Sequence, residues 1–208
     1  MTFISRRDLL KRAAAVGAAG AIAGSAEAES HPAITGATGG VGSLAIQVLA
    51  TQGYNVTALT SKDDEHEYLK SLGAGAVLAR GMLTMSGSRP LEKSLWAGAV
   101  DAVGGETLGW LIKTMHQNAT IAISGLTGGT ELHTTVLPFI LRGVKLLGID
   151  SAFAPTEKRR EVWQRLSTDL RPKALSTTIR DITLDELPRA FATLLEGKAR
   201  GRFVVKIS

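Results

Sequence analysis

The 208-residue sequence predicts an α/β fold, in which a doubly wound parallel β-sheet carries helices on both faces. Two observations support this prediction. A glycine-rich stretch, residues 34–42, lies between a short apolar run and a helical pattern at residues 43–50. After it, short apolar runs alternate with helical stretches along the rest of the chain. A hydrophobic content of 44% agrees with one globular domain.

The glycine-rich stretch has the spacing of a dinucleotide-binding turn. Gly39 is expected to permit a tight strand-to-helix turn, and Gly42 to let the helix pack closely on its strand. Gly40 and Val41 are expected to present backbone N–H groups to a pyrophosphate at the start of the helix. The predicted domain is therefore a Rossmann-type NAD(P)-binding domain.

The other elements follow in chain order. The strand before the turn is expected to be short, because Pro32 cannot donate to an interior ladder. Ser61 is predicted to cap the helix that follows the second strand. The predicted strands are residues 55–59, 75–78, 99–103, 120–124, 145–149 and 202–207. The predicted helices are residues 63–72, 107–115, 156–170 and 184–196, the last opened by a capping box at residues 183–186.

The end of the second strand indicates which cofactor is bound. A site that prefers NAD carries an Asp or Glu here, which binds the ribose 2′-hydroxyl. This sequence has Thr60, Ser61 and Lys62 instead. Two hydroxyls and an ammonium suit a 2′-phosphate, so NADPH is the predicted cofactor. The alternative is that Lys62 points to solvent beside Asp63 and Asp64.

Composition argues against several other classes of protein. The chain has no cysteine, which removes disulfides, thiolate catalysis and cysteine-ligated zinc. Its four histidines are scattered without a metal-binding spacing, so no metal is expected. The net charge is +5, but aromatic residues make up only 5% and are not interleaved with basic runs. Nucleic acid is therefore not an expected partner.

The first 28 residues are interpreted as an export leader. They contain the pair Arg6 and Arg7, a weakly apolar run at residues 13–24 and a small-residue site at residues 26–28. This pattern resembles a twin-arginine signal, which implies a periplasmic location if it is used and a cytoplasmic one otherwise. The apolar run is shorter than the roughly 20 residues of a membrane span. The alternative is an ordinary amphipathic first helix.

Short-chain dehydrogenases open with a similar glycine pattern, so a second test is needed. Their mechanism requires a Tyr and a Lys four residues apart, with the ammonium assisting proton transfer by the phenol. Here Tyr54 is followed at that spacing by Ala58, and Tyr68 by Leu72. The short-chain mechanism is therefore excluded.

Three further blocks, residues 67–74, 89–101 and 134–144, are more specific than the glycine turn. From about Ala33 to Ile207 the sequence resembles the acryloyl-CoA reductase and quinone oxidoreductase branch of the medium-chain dehydrogenase/reductase superfamily. The resemblance implies a zinc-free oxidoreductase that uses NADPH to reduce an activated double bond. The implied small-molecule substrate is an enoyl thioester or a quinone.

The resemblance also implies which residues contact the cofactor. The implied positions are Thr38, Gly39, Gly40 and Val41 in the phosphate turn, Thr60 to Lys62 and Arg80 near the adenosine phosphate, and Leu126, Ile140 and Ser151 along the rest of the cofactor. For two of these residues, a purely structural role is as compatible with the sequence as a cofactor contact. Ile140 is equally compatible with plain core packing, and Ser151 with a simple strand end.

The family carries an N-terminal GroES-like domain that holds the substrate pocket, and no counterpart is expected here. Residues 29–208 are interpreted as the cofactor-binding domain, with a C-terminal return segment from about residue 175. Apolar surface uncovered in that segment predicts self-association into a homo-oligomer. Two hypotheses follow. The chain is either an NADPH-dependent oxidoreductase that obtains its pocket from a partner, or an NADPH-binding module without turnover. No catalytic residue is assigned.

Overall fold

A six-stranded parallel β-sheet forms the centre of the structure, a computed structural model that describes residues 31–82 and 89–207. Its strands are β1 (Pro32–Ile34), β2 (Val56–Thr60), β3 (Ala74–Ala79), β4 (Trp96–Asp101), β5 (Met115–Ile123) and β6 (Lys145–Gly148). Their order is β3-β2-β1-β4-β5-β6, and every neighbouring pair is parallel. This is the Rossmann order, so the predicted fold is confirmed. The predicted leader, residues 1–28, lies outside the described residues and stays a prediction.

Helices cover both faces of the sheet. They are α1 (Gly40–Thr51), α2 (His66–Ser71), α3 (Gly105–Thr114), α4 (Leu137–Arg142), α5 (Thr156–Ser167) and α6 (Leu187–Leu195). Successive residues of β1 point to opposite faces, as the pleat requires. Ile34 packs in one core cluster with α1, α2 and α5, whereas Ala33 packs in a second cluster with α3 and α4. The sheet is thus wound on both sides.

The central strand β1 is only three residues long, as Pro32 predicts. Pro32 is its first residue and lies opposite Gly98 of β4. Ala33 and Ile34 are completely buried between β2 and β4. Because a proline lacks an N–H, it is tolerated at the first position of a strand but not in the middle of a ladder.

A second, two-stranded parallel sheet lies in the C-terminal segment. Strand β7 (Ile179–Ile182) pairs with β8 (Arg202–Val205), and the sequence analysis predicted only β8. The predicted capping box is confirmed, with the Thr183 N–H donating to Glu186 Oε2 at 2.8 Å. It opens a 3-10 turn, Leu184–Glu186, that leads into α6.

Two details of the predicted helices are wrong. Ser61 does not cap the helix after β2, because a 3-10 turn, Asp63–Glu65, precedes α2 and has no side-chain cap. The Thr60 hydroxyl instead accepts a hydrogen bond from the Lys62 N–H at 3.0 Å. The helix expected at residues 156–170 ends at Ser167, where the Thr168 hydroxyl bonds to carbonyls of the last turn.

Large apolar side chains are exposed in the C-terminal segment. Leu195 and Ile207 are 89% and 82% exposed. Others with more than a third of their surface exposed are Leu175, Ile179, Leu184, Phe191, Leu194 and Val204. The expected uncovered apolar surface is therefore present, and the self-association that it implies stays a prediction.

Candidate functional site

The glycine-rich stretch forms a sharp turn between β1 and α1 at the carboxyl edge of the sheet. The Gly39 N–H donates to the Gly36 carbonyl at 2.9 Å, and α1 begins at Gly40. Strands β2 and β3 continue the sheet on one side of β1, and β4 to β6 continue it on the other. In open α/β sheets the crevice at such a switch in strand order is where ligands bind.

Two glycines in this turn carry its geometry. Gly36 has φ +58°, in the left-handed region, whereas Gly39 has φ −78°, which any residue can adopt. Gly36, and not Gly39 as expected, is therefore the residue whose backbone requires glycine. A Cβ on Gly42 would meet the Gly36 carbonyl oxygen and lie 2.7 Å from the Ala37 Cα. The predicted close approach at Gly42 is thus real, but α1 approaches the turn and not the strand.

The start of α1 is suited to bind an anion. No side chain caps this helix, and its first turn contains no acidic residue. The N–H groups of Gly40, Val41 and Gly42 occupy the first helical positions, which have no partner within the helix. Together with the helix dipole they favour a phosphate at this point.

The C-terminal strand brings a cation to the same place. The Gly201 N–H donates to the Thr38 carbonyl at 2.8 Å. A Cβ on Gly40 would lie 3.0 Å from Nη2 of Arg202, so the guanidinium lies over the start of α1. Within residues 31–82 and 89–207, no carboxylate pairs with Arg202. Sequence reasoning missed this residue, for which the adjacent Gly201-Arg202 pair was the only local signal.

The predicted 2′-phosphate residues lie together at the end of β2. Thr60 is buried, and Lys62 is partly buried. The Lys62 ammonium donates to the Ala199 carbonyl, and burial lowers the pKa of Lys62. The alternative that Lys62 simply points to solvent is therefore wrong. Its side chain is directed toward the segment that follows α6.

An ion pair joins that segment to the start of α2. Arg200 Nη1 lies 3.3 Å from Glu65 Oε2, and the guanidinium carbon lies 4.4 Å from the centre of the Tyr68 ring. Residues 199–202 therefore run from the end of β2 to the start of α1, and we call them the C-terminal strap. The strap places Arg200 and Arg202 along one edge of the crevice.

A buried carboxylate connects the turns that follow β1 and β4. Asp101 is completely buried, and the Thr35 hydroxyl donates to its Oδ1 at 2.5 Å. The Gly104 N–H donates to Oδ2 at 2.8 Å, and the Val103 N–H to Oδ1 at 3.4 Å. Burial raises the pKa of Asp101, whereas these three donors oppose the rise. The carboxylate thereby fixes the two turns that form the crevice.

A cavity of about 590 Å³ lies beyond the turn that follows β4. Leu126, predicted as a nicotinamide contact, lines it and is 63% exposed. Most of the remaining lining is glycine backbone and aliphatic side chains. The polar and charged side chains in it are Ser124, Thr130, Glu131 and Asp150.

Two of the other predicted cofactor contacts, Arg80 and Ile140, lie in different parts of the structure. Arg80 directly follows β3, whose residue Ala79 pairs with Thr60, so Arg80 lies beside the end of β2. Ile140 is 69% exposed on α4, so its alternative as a core residue is wrong, and it does not line the cavity.

Ser151 lies just beyond the end of β6. It is exposed, and its carbonyl accepts a hydrogen bond from Arg159 Nη2 at 2.8 Å. The preceding residue, Asp150, lines the cavity. Ser151 therefore lies next to the cavity without forming part of its wall.

In the part of the chain that the structure describes, no three or more His, Asp or Glu side chains are grouped so that they could hold a metal ion. In the same residues, no helix combines the length and the apolar character that crossing a membrane requires.

Comparison with known proteins identifies clear relatives. Residues 40–168 match the family described as "Zinc-binding dehydrogenase". The chain is 45% identical over 175 residues to the "Putative quinone oxidoreductase YhfP" of Bacillus subtilis, covering 84% of this chain and 53% of that protein. It is 46% identical over 175 residues to the "Acrylyl-CoA reductase AcuI" of Ruegeria pomeroyi, with the same coverage of 84% and 53%. The chain thus spans about half the length of these curated relatives.

Solved structures of similar proteins contain nicotinamide cofactors. Escherichia coli K-12 YHDH with bound NADPH superposes with a TM-score of 0.82 at 43% identity, covering 86% of this chain and 55% of that one. Bacillus subtilis yhfP with bound NAD superposes with a TM-score of 0.83 at 42% identity, covering 95% of this chain and 64% of that one. Relatives at this level of identity therefore include structures with either cofactor.

Proposed function

The chain belongs to the zinc-binding dehydrogenase family, and from this premise we propose that it binds NADPH and serves the reduction of an activated double bond. The proposed substrate is an enoyl thioester such as acryloyl-CoA, or a quinone, by analogy with the relatives' printed names. One observation carries the proposal. The Arg202 guanidinium lies over the uncapped start of α1, at the switch in strand order, where a dinucleotide pyrophosphate would fit.

The residues of the crevice fit each part of NADPH. The start of α1 and Arg202 would hold the pyrophosphate, and the glycines there leave room that a Cβ would fill. Thr60, Ser61 and Lys62 would bind the 2′-phosphate. The cavity beside Leu126 would receive the nicotinamide. The bound cofactor would supply a hydride, while the protein would bind and orient it.

The second candidate function is NADPH binding without turnover. The cavity lining contains no Tyr, Lys, Arg or His side chain among the described residues. Reduction of a thioester-activated double bond develops negative charge on oxygen, which donors or cations must stabilise. The chain alone is therefore expected to turn over slowly. Assays of NADPH oxidation with acryloyl-CoA and with simple quinones separate the two candidates.

We expect the chain to bind NADPH more tightly than NADH, and Lys62→Met to narrow the difference. A charge-assisted hydrogen bond contributes about 1.5–3 kcal/mol, so a roughly tenfold or larger change in the affinity ratio is expected. Cofactor fluorescence titrations measure both affinities. The matched control is Lys145→Met, because the Lys145 ammonium also donates to a backbone carbonyl, that of Asn118, but on the edge strand β6. Equal affinities of the unmodified chain for NADPH and NADH would contradict the predicted preference.

Arg202→Gln is expected to lower the affinities for NADPH and for NADH by the same factor, about tenfold. Both cofactors carry the pyrophosphate that the guanidinium is proposed to contact. Arg202→Lys should recover part of the loss, because it keeps the charge but not the planar donors. The same titrations measure the effect, with Arg160→Gln on the exposed surface of α5 as control. Unchanged affinities in Arg202→Gln would remove Arg202 from the phosphate site.

A further inference from the structure

The end of β2 carries a third cation besides Lys62 and Arg80. We propose that Arg200 contributes with Lys62 to the choice between NADPH and NADH, by exchanging its partner Glu65 for the 2′-phosphate of the bound cofactor. This inference rests on the proposed function, because it assumes that the crevice binds a nicotinamide dinucleotide. It adds a residue from the C-terminal strap to a subsite that the sequence assigns to the end of β2.

The contacts of Arg200 bring its guanidinium to the subsite. The Lys62 ammonium donates to the carbonyl of Ala199, the residue before Arg200. Arg200 Nη1 lies 3.3 Å from Glu65 Oε2, three residues beyond Lys62. The Tyr68 ring lies 4.4 Å from the guanidinium carbon and supports the face of the group, which leaves its edges for acceptors. Lys62 and Arg200 thus both lie just beyond the end of β2.

The charges around Lys62 show why a further cation matters. Asp63, Asp64 and Glu65 follow Lys62 directly, and the last two act electrostatically on its ammonium. Lys62 and Arg80 are two cations beside three carboxylates, and a phosphate monoester itself carries about −1.5 to −2 charges. Arg200 adds a third cation, which pairs with Glu65 while the 2′-phosphate is absent.

The exposure of the pair fits an exchange of partners. The Glu65 side chain is 13% exposed, whereas the Arg200 side chain is 53% exposed and presents donors to solvent. Because the Arg200 side of the pair is exposed, solvent screens the pair and its contribution to folding stability is small. A guanidinium matches phosphate oxygens with two parallel hydrogen bonds, and a doubly charged partner attracts it more strongly than a carboxylate does. The 2′-phosphate can therefore displace Glu65.

The experiment compares two nucleotides, 2′,5′-ADP and 5′-AMP, which differ only in the 2′-phosphate. Calorimetric titration of the full chain with each isolates that group, and NADPH and NADH are titrated in parallel. In Arg200→Gln we expect the affinity for 2′,5′-ADP and for NADPH to fall about tenfold, and that for 5′-AMP and NADH to change less than twofold. Arg200→Lys should retain most of the preference.

A second variant tests the exchange directly. Glu65→Gln leaves Arg200 without its carboxylate, so we expect the affinity for 2′,5′-ADP to rise about threefold or more while that for 5′-AMP stays the same. In the Arg200→Gln background this gain should shrink. The matched control is Arg180→Gln, because Arg180 also lies against an aromatic ring, 5.8 Å from the Phe203 centre, but within the C-terminal sheet.

The outcomes separate this inference from the proposed function. If the unmodified chain binds neither NADPH nor NADH, the proposed function fails. If it binds NADPH but Arg200→Gln lowers the affinity for both nucleotides equally, Arg200 only supports the fold and the inference is overturned. A loss of 2′,5′-ADP affinity in Glu65→Gln would overturn it as well, because the carboxylate would then be assisting phosphate binding.

Discussion

Gly42→Ala is expected to abolish NADPH binding, with a loss of affinity of at least about a hundredfold, or 2.8 kcal/mol. The added methyl would meet the Gly36 carbonyl oxygen and lie 2.7 Å from the Ala37 Cα. Both are backbone atoms of the turn, so no side-chain rotation can relieve the contact. The start of α1 must shift away from the turn, and its N–H groups move away from the phosphate position. Fluorescence titration with NADPH measures the loss.

The matched control for Gly42→Ala is Gly81→Ala. Gly81 lies in the 3-10 turn after β3, and among the described residues a Cβ there would meet nothing within 4 Å. Its φ is not in the left-handed region, so alanine introduces no strain. Thermal unfolding of both variants shows whether Gly42→Ala also destabilises the fold. An added methyl in a tight backbone contact is expected to lower the free energy of unfolding by about 1–3 kcal/mol. Wild-type affinity in Gly42→Ala would mean that the phosphate binds elsewhere.

Asp101→Asn is expected to lower the free energy of unfolding by about 2–4 kcal/mol, because one acceptor oxygen becomes an N–H₂ group that faces buried donors. The donors are the Thr35 hydroxyl and the N–H groups of Val103 and Gly104. Their misalignment should also loosen both turns of the crevice and reduce NADPH affinity. Urea unfolding and NADPH titration measure the two effects.

Asp150→Asn is the control for the effect of Asp101→Asn on stability, because Asp150 is also a carboxylate near the carboxyl end of a strand but is exposed. An exposed substitution of this kind is expected to change stability by less than about 0.5 kcal/mol. If Asp101→Asn were as stable as Asp150→Asn, the hydrogen bonds of Asp101 would not hold the two turns together.

Local sequence patterns predicted most of the fold. The apolar runs of β1 to β6 are flanked by helical stretches, and this alternation is enough to predict a parallel sheet with both faces covered. Strand β7 was missed, because Ile179–Ile182 has an apolar residue only at each end and is mostly exposed. These four residues form a strand because they pair with β8, and their own sequence does not reveal that pairing.

The candidate site was predicted where it depends on neighbouring residues and missed where it depends on distant ones. The turn before α1 and the polar residues at the end of β2 are each formed by consecutive residues, so their positions could be predicted, while their roles in cofactor binding stay predictions. That Gly36, and not Gly39, requires glycine depends on the backbone φ angles, which the spacing of glycines in the sequence does not reveal. Arg200 and Arg202 reach the crevice only through tertiary structure, because the strap lies far from it in sequence.

The C-terminal strap also determines when the crevice can form during folding. The Lys62–Ala199 contact joins residues 137 positions apart. Closing so long a segment costs more conformational entropy than forming the hydrogen bond from Gly39 to Gly36 in the glycine turn, which joins residues three positions apart. We therefore expect the glycine turn to form before the strap brings Arg200 and Arg202 to the crevice. A ligand that contacts both parts would stabilise that last step, so cofactor binding and docking of the C-terminal sheet should be thermodynamically linked.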